Sequence, residues 1–259
     1  MQALTRPWGA MHYRVDGPAD GPVVVFANSL GTDLRLWDQV LARLPGIRAI
    51  RFDKRGHGLS DLGGAYLIED LAEDAAALIR HLKLGPVIFV GLSIGGMIGQ
   101  ALASAHPELL RALFLSNTAV RMGSAESWAG RIAAIKAGGI GSIAEVIMER
   151  WFAPPFRARP ELAMWRNMVA RTSAPGYIAS CEALAAADLT AAAQALCLPV
   201  AVVAGDQDGS SPAELVQATA RMIPGASFHV IARAGHIPCV EQPADYAAIL
   251  DAFIKEQQP

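Results

Sequence analysis

Charge is scarce in this 259-residue chain. Asp, Glu, Lys and Arg together make up 18%, the formal net charge is −2, and no block of like charges occurs. That excludes the basic footprint of a nucleic-acid binder and gives no handle for an anionic membrane surface. Cysteine is scarcer still. Cys181, Cys197 and Cys239 stand far apart with no C-x-x-C, which excludes a disulfide framework and fits a reducing, cytoplasmic setting. Each reads as a small buried hydrophobe. No stretch approaches 18 uncharged apolar residues, so no membrane span is expected. Met1 to Gly9 is polar and mixed and lacks the apolar run of a signal peptide.

Hydrophobic residues, by contrast, reach 53%, enough for a sizeable core and too many for disorder. The length suits one large α/β domain or a core with an insert. Strands are expected at Ala10–Val15, Val23–Ala27, Ile47–Phe52, the run starting at Val87, Leu110–Ser116, Pro199–Ala204 and Ser227–Ile231. The turn residues from Asp16 to Pro22 suggest a hairpin between the first two. Helices are expected at Leu34–Leu44 with Asp33 as N-cap, at Leu67–Leu82, after Ser93, at Ala213–Met222 and at Ala244–Glu256. The alternation predicts a doubly wound sheet with right-handed crossovers. It stops at Asn117. Between Arg121 and Ala187 only helical patterns occur: Trp128–Lys136, Ile143–Trp151, Arg159–Thr172 and Tyr177–Ala187, broken by Pro154-Pro155 and Ala174-Pro175-Gly176. Residues 1–120 and 188–259 therefore read as a core, and 121–187 as a helical cap insert.

The chain is organised around Val87–Gln100. An apolar run turns into a helical run at Gly91-Leu92-Ser93-Ile94-Gly95, a G-x-S-x-G join between strand and helix. A turn that sharp strains its serine and projects Oγ above the sheet. The following helix aims free N–H groups at the same place. Ser93 is thus a candidate nucleophile and the Ile94 N–H a candidate oxyanion donor; the plainer alternative is a serine that only caps the helix. A second donor is expected from Asn28-Ser29-Leu30-Gly31, the polar loop after the Val23–Ala27 strand, with Leu30 the residue of choice.

A serine nucleophile needs a base, and the base needs an orienting carboxylate. His236 follows the last strand. Asp206 and Asp208 both follow the strand before it, and residue chemistry alone barely separates them. His57, in the loop Asp53–Asp61, is a second histidine within sight; there the reading is structural, with Asp53, Arg55 and Asp61 pairing locally to shape the loop.

These motifs together resemble the α/β-hydrolase superfamily: Gly91–Gly96, Asp53-Lys54-Arg55-Gly56-His57-Gly58, Gly205-Asp206-Gln207-Asp208 and Gly235-His236. The resemblance covers nearly the whole chain and is weakest in the insert. It implies an α/β-hydrolase fold, with a mostly parallel eight-stranded sheet, helices on both faces and a helical cap. It also implies a Ser93–Asp208–His236 triad, because the family's acid ends a G-x-x-D. Most relatives carry His-Gly where this chain has Asn28-Ser29. That departure, with Glu149-Arg150-Trp151-Phe152, resembles one subgroup, the 3-oxoadipate enol-lactonases of aromatic catabolism. Such enzymes open a lactone ring with water, without metal or organic cofactor.

The lactone carries a free carboxylate, which calls for a cation, preferably an arginine. Arg131 lies three positions from Trp128, on one helical turn, and Trp151 could wall the same site; Arg150 reads as surface. Another carboxylesterase or a carbon–carbon bond hydrolase on the same scaffold is the alternative, with a non-catalytic ligand-binding protein third. Hydrolysis is expected to run through an acyl-enzyme or by direct attack of water. The expected partner is a small-molecule lactone, and the apolar surface of the insert could support a homodimer.

Overall fold

The structure, a computed structural model, describes residues 1–258. Eight strands form one sheet: β1 (Gln2–Arg6), β2 (Gly9–Asp16), β3 (Val23–Ala27), β4 (Arg48–Phe52), β5 (Val87–Leu92), β6 (Leu110–Ser116), β7 (Val200–Gly205) and β8 (Ser227–Ile231). Their order is β1-β2-β4-β3-β5-β6-β7-β8. The pairs β1/β2 and β2/β4 are antiparallel and the rest are parallel. This is the mostly parallel eight-stranded sheet expected. Two local expectations fail. The N-terminal segment forms β1, an edge strand so exposed that its residues carry no apolar face to read. And β2 does not hairpin onto β3; it pairs with β1 and β4. β3 is almost wholly buried and takes a central place between two parallel neighbours, as strands apolar on both faces do.

Twelve α-helical segments occur among the described residues: α1 (Asp38–Leu41), α2 (Ile68–His81), α3 (Ile94–Ala105), α4 (Ala125–Gly138), α5 (Ala144–Trp151), α6 (Pro154–Arg157), α7 (Leu162–Ala170), α8 (Ala174–Ala186), α9 (Thr190–Gln194), α10 (Ala213–Met222), α11 (Pro238–Glu241) and α12 (Pro243–Glu256). None is long and apolar enough to cross a membrane. The helix expected at Leu34–Leu44 is shorter and tighter, a 3-10 turn at Leu34–Trp37 running into α1; Asp33 does cap it, accepting from the Arg35 N–H at 3.0 Å. Ala174-Pro175-Gly176 starts α8 instead of breaking a helix, because proline suits the first turn and Ser173 caps it. The stretch 121–187 holds α4 to α8 and no strand.

Both faces of the sheet are covered, and neighbouring residues of β6 show how. Leu113 lies over Gly99 of α3, while Phe114 packs on Tyr246 and Phe253 of α12, with ring centroids 5.5 and 5.8 Å away. Consecutive side chains of a strand point to opposite faces, so α3 and α12 sandwich the sheet. Cys181 and Cys239 are buried as expected; Cys197 is exposed.

The parallel strands deliver their loops to one edge. Asn28–Gly31 follows β3, Ser93 follows β5, Asn117 follows β6, Asp208 lies beyond β7 and His236 beyond β8, the edge where open α/β sheets hold their sites. Two glycines let β5 turn into α3. A Cβ on Gly91 would lie 2.2 Å from Gly95 O, and one on Gly95 would lie 2.2 Å from Ala27 O. Both obstacles are backbone. Gly95→Ala should therefore lower stability by about 1–3 kcal/mol or more, read from urea unfolding. A loss under about 0.5 kcal/mol, the scatter of ordinary surface changes, would mean that β3 and α3 separate freely.

Candidate active site

Ser93 sits at φ 59° and ψ −121°, a left-handed conformation that few non-glycine residues adopt. Its N–H donates to Ser116 O at 2.9 Å, and its carbonyl accepts from Thr118 Oγ1 at 2.7 Å. The hydroxyl does not cap α3, so the capping alternative fails and Oγ is left to the cavity that Ser93 lines. The same cavity is lined by Ser29, Leu30 and His236. Among the described residues, the Leu30 and Ile94 N–H groups donate to no protein acceptor. Ser29 Oγ is buried there without a partner.

His236 Nδ1 lies 2.8 Å from Asp208 Oδ2. A carboxylate can only accept, so Nδ1 carries the proton and Nε2 keeps its lone pair. Asp208 is held from every side. Its Oδ1 accepts from the Ser210 and Ser211 N–H groups at 2.6 and 2.9 Å, and its Oδ2 from Asn117 Nδ2 at 2.9 Å, with Ser211 Oγ 2.7 Å away. Burial alone would raise this carboxyl's pKa; the His236 charge and these hydrogen bonds outweigh it and hold the group below its ordinary range. Asp206 does a different job, accepting from the Ala234 N–H at 3.1 Å and so bracing the loop that carries His236. Geometry thus separates the two aspartates that residue chemistry alone barely separated, and agrees with the choice of Asp208 that the resemblance implied.

His57 is buried away from the cavity. It stacks on Tyr177 at 6.5 Å, its Nδ1 lies 3.0 Å from Arg55 O, and its Nε2 has no partner. Burial, with the nearby Lys54 charge, holds its pKa well below the ordinary histidine range. Its structural reading agrees with this placement, but the local ion pairs expected around it do not form. Asp53 accepts from the Leu34 and Leu59 N–H groups and lies 2.8 Å from His12 Nδ1; Arg55 pairs with Asp74 of α2; Asp61 accepts from the Ala10 N–H. Apart from Leu59, the partners are far in sequence, beyond the reach of a local pattern.

Trp128, Arg131 and Trp151 all line the cavity. The Arg131 guanidinium stands 4.8 Å over the Trp128 ring, whose Nε1 donates to Met122 O. Trp151 stacks on His236 at 6.5 Å. Arg150 was expected to be plain surface. It is largely exposed, yet it reaches the cavity rim and its Nε donates to Gly209 O at 3.1 Å. Partial burial and the Arg131 charge lower its pKa, so two guanidinium groups face one space.

The segment that ends α5 ties this helical stretch to the loops that carry Asp208 and His236. Arg150 O accepts from the Gly209 N–H at 3.1 Å, and Trp151 O from the His236 N–H at 2.7 Å. Glu241 completes the bridge: its Oε1 accepts from the Gly235 N–H at 2.6 Å and its Oε2 from the Ala153 N–H at 2.9 Å. Asn117, Ser211 and Glu241 escaped sequence reading, since no motif marks them; only Asn117, immediately after β6, stands at a strand end that could have flagged it.

Residues 18–249 match the model of an alpha/beta hydrolase family. The chain is 37% identical over 256 residues to a 3-oxoadipate enol-lactonase of Acinetobacter baylyi, covering 97% of this chain and 96% of that one. A crystal structure of the enol-lactonase from Burkholderia xenovorans LB400 superposes with a TM-score of 0.94 at 34% identity, over 98% of this chain and all of that one. A thermophilic esterase from Thermogutta terrifontis, solved with malate bound, superposes with a TM-score of 0.92 at 29% identity, each chain covered in full.

Burial pushes the Glu241 carboxyl up to about 7, although the Gly235 and Ala153 N–H groups and Arg159 pull it down. An acid with a raised pKa binds more protons folded than unfolded between about 4.5 and about 7, so stability falls as pH rises through that window. Glu241→Gln should flatten this fall. Denaturant unfolding at pH 5 and pH 8 checks it: wild type loses more stability between the two than the variant, and equal losses would count against a buried bridging acid.

Proposed function

This chain belongs to the alpha/beta hydrolase family, and from that membership we propose that it opens 3-oxoadipate enol-lactone with water to give 3-oxoadipate. The observation that carries this reading is Arg131, held over Trp128 at the cavity that Ser93 and His236 share. It offers a cation where the lactone's free carboxylate would lie while its ring carbonyl meets Ser93. The cavity is small, about 70 Å³, which favours a compact ester over a long acyl chain. The enol-lactonases among the similar proteins support the same substrate class.

In the proposed mechanism Ser93 Oγ attacks the lactone carbonyl as His236 Nε2 takes its proton. Asp208 keeps the imidazole in the right tautomer and stabilises the imidazolium. The Leu30 and Ile94 N–H groups donate to the oxyanion, each donor of this kind contributing about 2.7–4 kcal/mol. The ring C–O bond then breaks, the enol oxygen takes the proton from His236, and the released arm ketonises. His236 next draws a proton from water, which attacks the acyl group; as the bond to Ser93 Oγ breaks, that oxygen takes the proton back from His236 and the acid is released.

Mixing purified protein with freshly made enol-lactone, beside p-nitrophenyl acetate, tests the reading. Fast loss of the enol-ester absorbance with poor acetate cleavage is expected; the reverse would assign the site to another ester. Ser93→Ala should lower kcat by at least ~10⁴-fold. Arg131→Ala should raise KM for the lactone roughly tenfold to a hundredfold, as losing a charged hydrogen bond does, and leave p-nitrophenyl acetate, which has no carboxylate, unchanged. An unchanged lactone KM would remove Arg131 from the site.

A further inference from the structure

One buried lysine has no part in this mechanism; burial lowers the pKa of its ammonium to about 7, so it carries its charge below that pH. Lys54, just past the end of β4, is 3% exposed. Its Nζ donates to Ser29 O at 2.7 Å, and no carboxylate lies within 4.0 Å of it among the described residues. Its neighbours Arg51 and Arg55 are also buried, but each is paired, with Asp16 and Asp74. Asp53 is occupied by two backbone N–H groups and His12. Lys54 does not line the cavity, so it has no direct reach to a substrate there.

What it touches is the other end of a group that does. The Ser29 carbonyl and the Leu30 N–H belong to one peptide unit, whose resonance links oxygen and nitrogen. A cation on the oxygen draws electron density from the nitrogen and makes the N–H a stronger donor, and hydrogen bonds in series reinforce one another in a low dielectric. On this basis we propose that Lys54 is a positioning residue that holds and polarises the Ser29–Leu30 peptide, strengthening the Leu30 N–H as an oxyanion donor. The proposal rests on the serine-hydrolase reading above and adds to it a source of charge behind the oxyanion site.

A purely architectural role fits less well. The same oxygen already accepts from Thr32 Oγ1 at 2.9 Å and from the Thr32 N–H at 3.3 Å, so neutral donors are in place to shape the loop. Burying an ammonium without an ion-pair partner is costly, and a threonine or glutamine would have served the shape alone. Asn28 anchors the start of the loop independently, donating to Phe52 O at 2.8 Å and accepting from Trp37 Nε1 at 2.8 Å.

Three variants test it: Lys54→Met keeps the length and removes the charge, Lys54→Gln keeps an N–H donor without the charge, and Thr32→Val removes a neutral donor from the same oxygen. With p-nitrophenyl acetate at pH 6, where Lys54 is mostly charged and the ester calls on Ser93, His236 and the oxyanion donors but not on Arg131, Lys54→Met should lose about 10- to 100-fold in kcat, below the full loss of a donor, with KM within about twofold. The Ki of a trifluoromethyl ketone, which forms an oxyanion on Ser93, should rise in parallel. Lys54→Gln should not restore kcat, and Thr32→Val should cost less than Lys54→Met. A Lys54→Met enzyme with wild-type kcat, or full recovery in Lys54→Gln, overturns the proposal. Ser93→Ala run alongside marks the background, so wild-type activity in Lys54→Met together with loss in Ser93→Ala rejects the polarisation and leaves the nucleophile standing. If Lys54→Met does not fold, the Lys54→Gln comparison against Thr32→Val decides.

Discussion

Everything at the site depends on one close approach of backbone. β5 cannot turn into α3 at this radius unless Gly95 lies against Ala27 of β3 and Gly91 against Gly95. That contact imposes the left-handed conformation on Ser93, a strain of order 1–3 kcal/mol. The strain persists because the surroundings over-determine it: Ser116 holds the Ser93 N–H and Thr118 holds its carbonyl. A buried parallel sheet is stiff enough to bear this, and the strained serine gains an unhindered hydroxyl at the start of a helix whose first N–H groups are free.

A second layer of order surrounds the acid. The Asp208 carboxylate is buried, and the groups that hold it ionised come from three places: the turn it heads, the residue after β6, and His236 itself. Such a fully satisfied network is rigid, whereas a half-satisfied one in the same low dielectric would be costly. Asn117 is central to it, because one side-chain amide reaches both Asp208 Oδ2 and Gly235 O and so fixes the spacing of the acid and histidine loops.

Much of this was legible in the sequence. The G-x-S-x-G join between an apolar run and a helix marked Ser93, and strand order placed Asp208 and His236 at the same edge. The central strands are apolar on both faces and hard to mistake. What was illegible depends on distant partners. β1 is an exposed edge held by pairing with β2, and β2 chose β4 over its sequence neighbour. Arg55 found Asp74 on α2, and Asp53 spent its oxygens on backbone N–H groups. Arg150 looked like a surface residue because exposure and a place at a cavity rim are compatible, and only folding brings Gly209 beside it. Resemblance resolved the choice between Asp206 and Asp208, and the distances show the physics behind it: one carboxylate meets the imidazole and the other meets a backbone N–H.

The segment from Arg150 to Ala153 has a consequence for how such chains diversify. It hydrogen-bonds to the acid loop, to His236 and to Glu241 at once, so the helical stretch that carries Trp128 and Arg131 on α4 and Trp151 on α5 is spliced into the frame that holds the imidazole. A recombination point placed at the end of β6 and the start of β7 would exchange the cavity-lining helices and, with them, the braces of the Asp208 and His236 loops. A crossover that keeps Arg150 to Ala153 with the sheet would leave those braces native and split the helical stretch into two separable cassettes, one on each side of that seam.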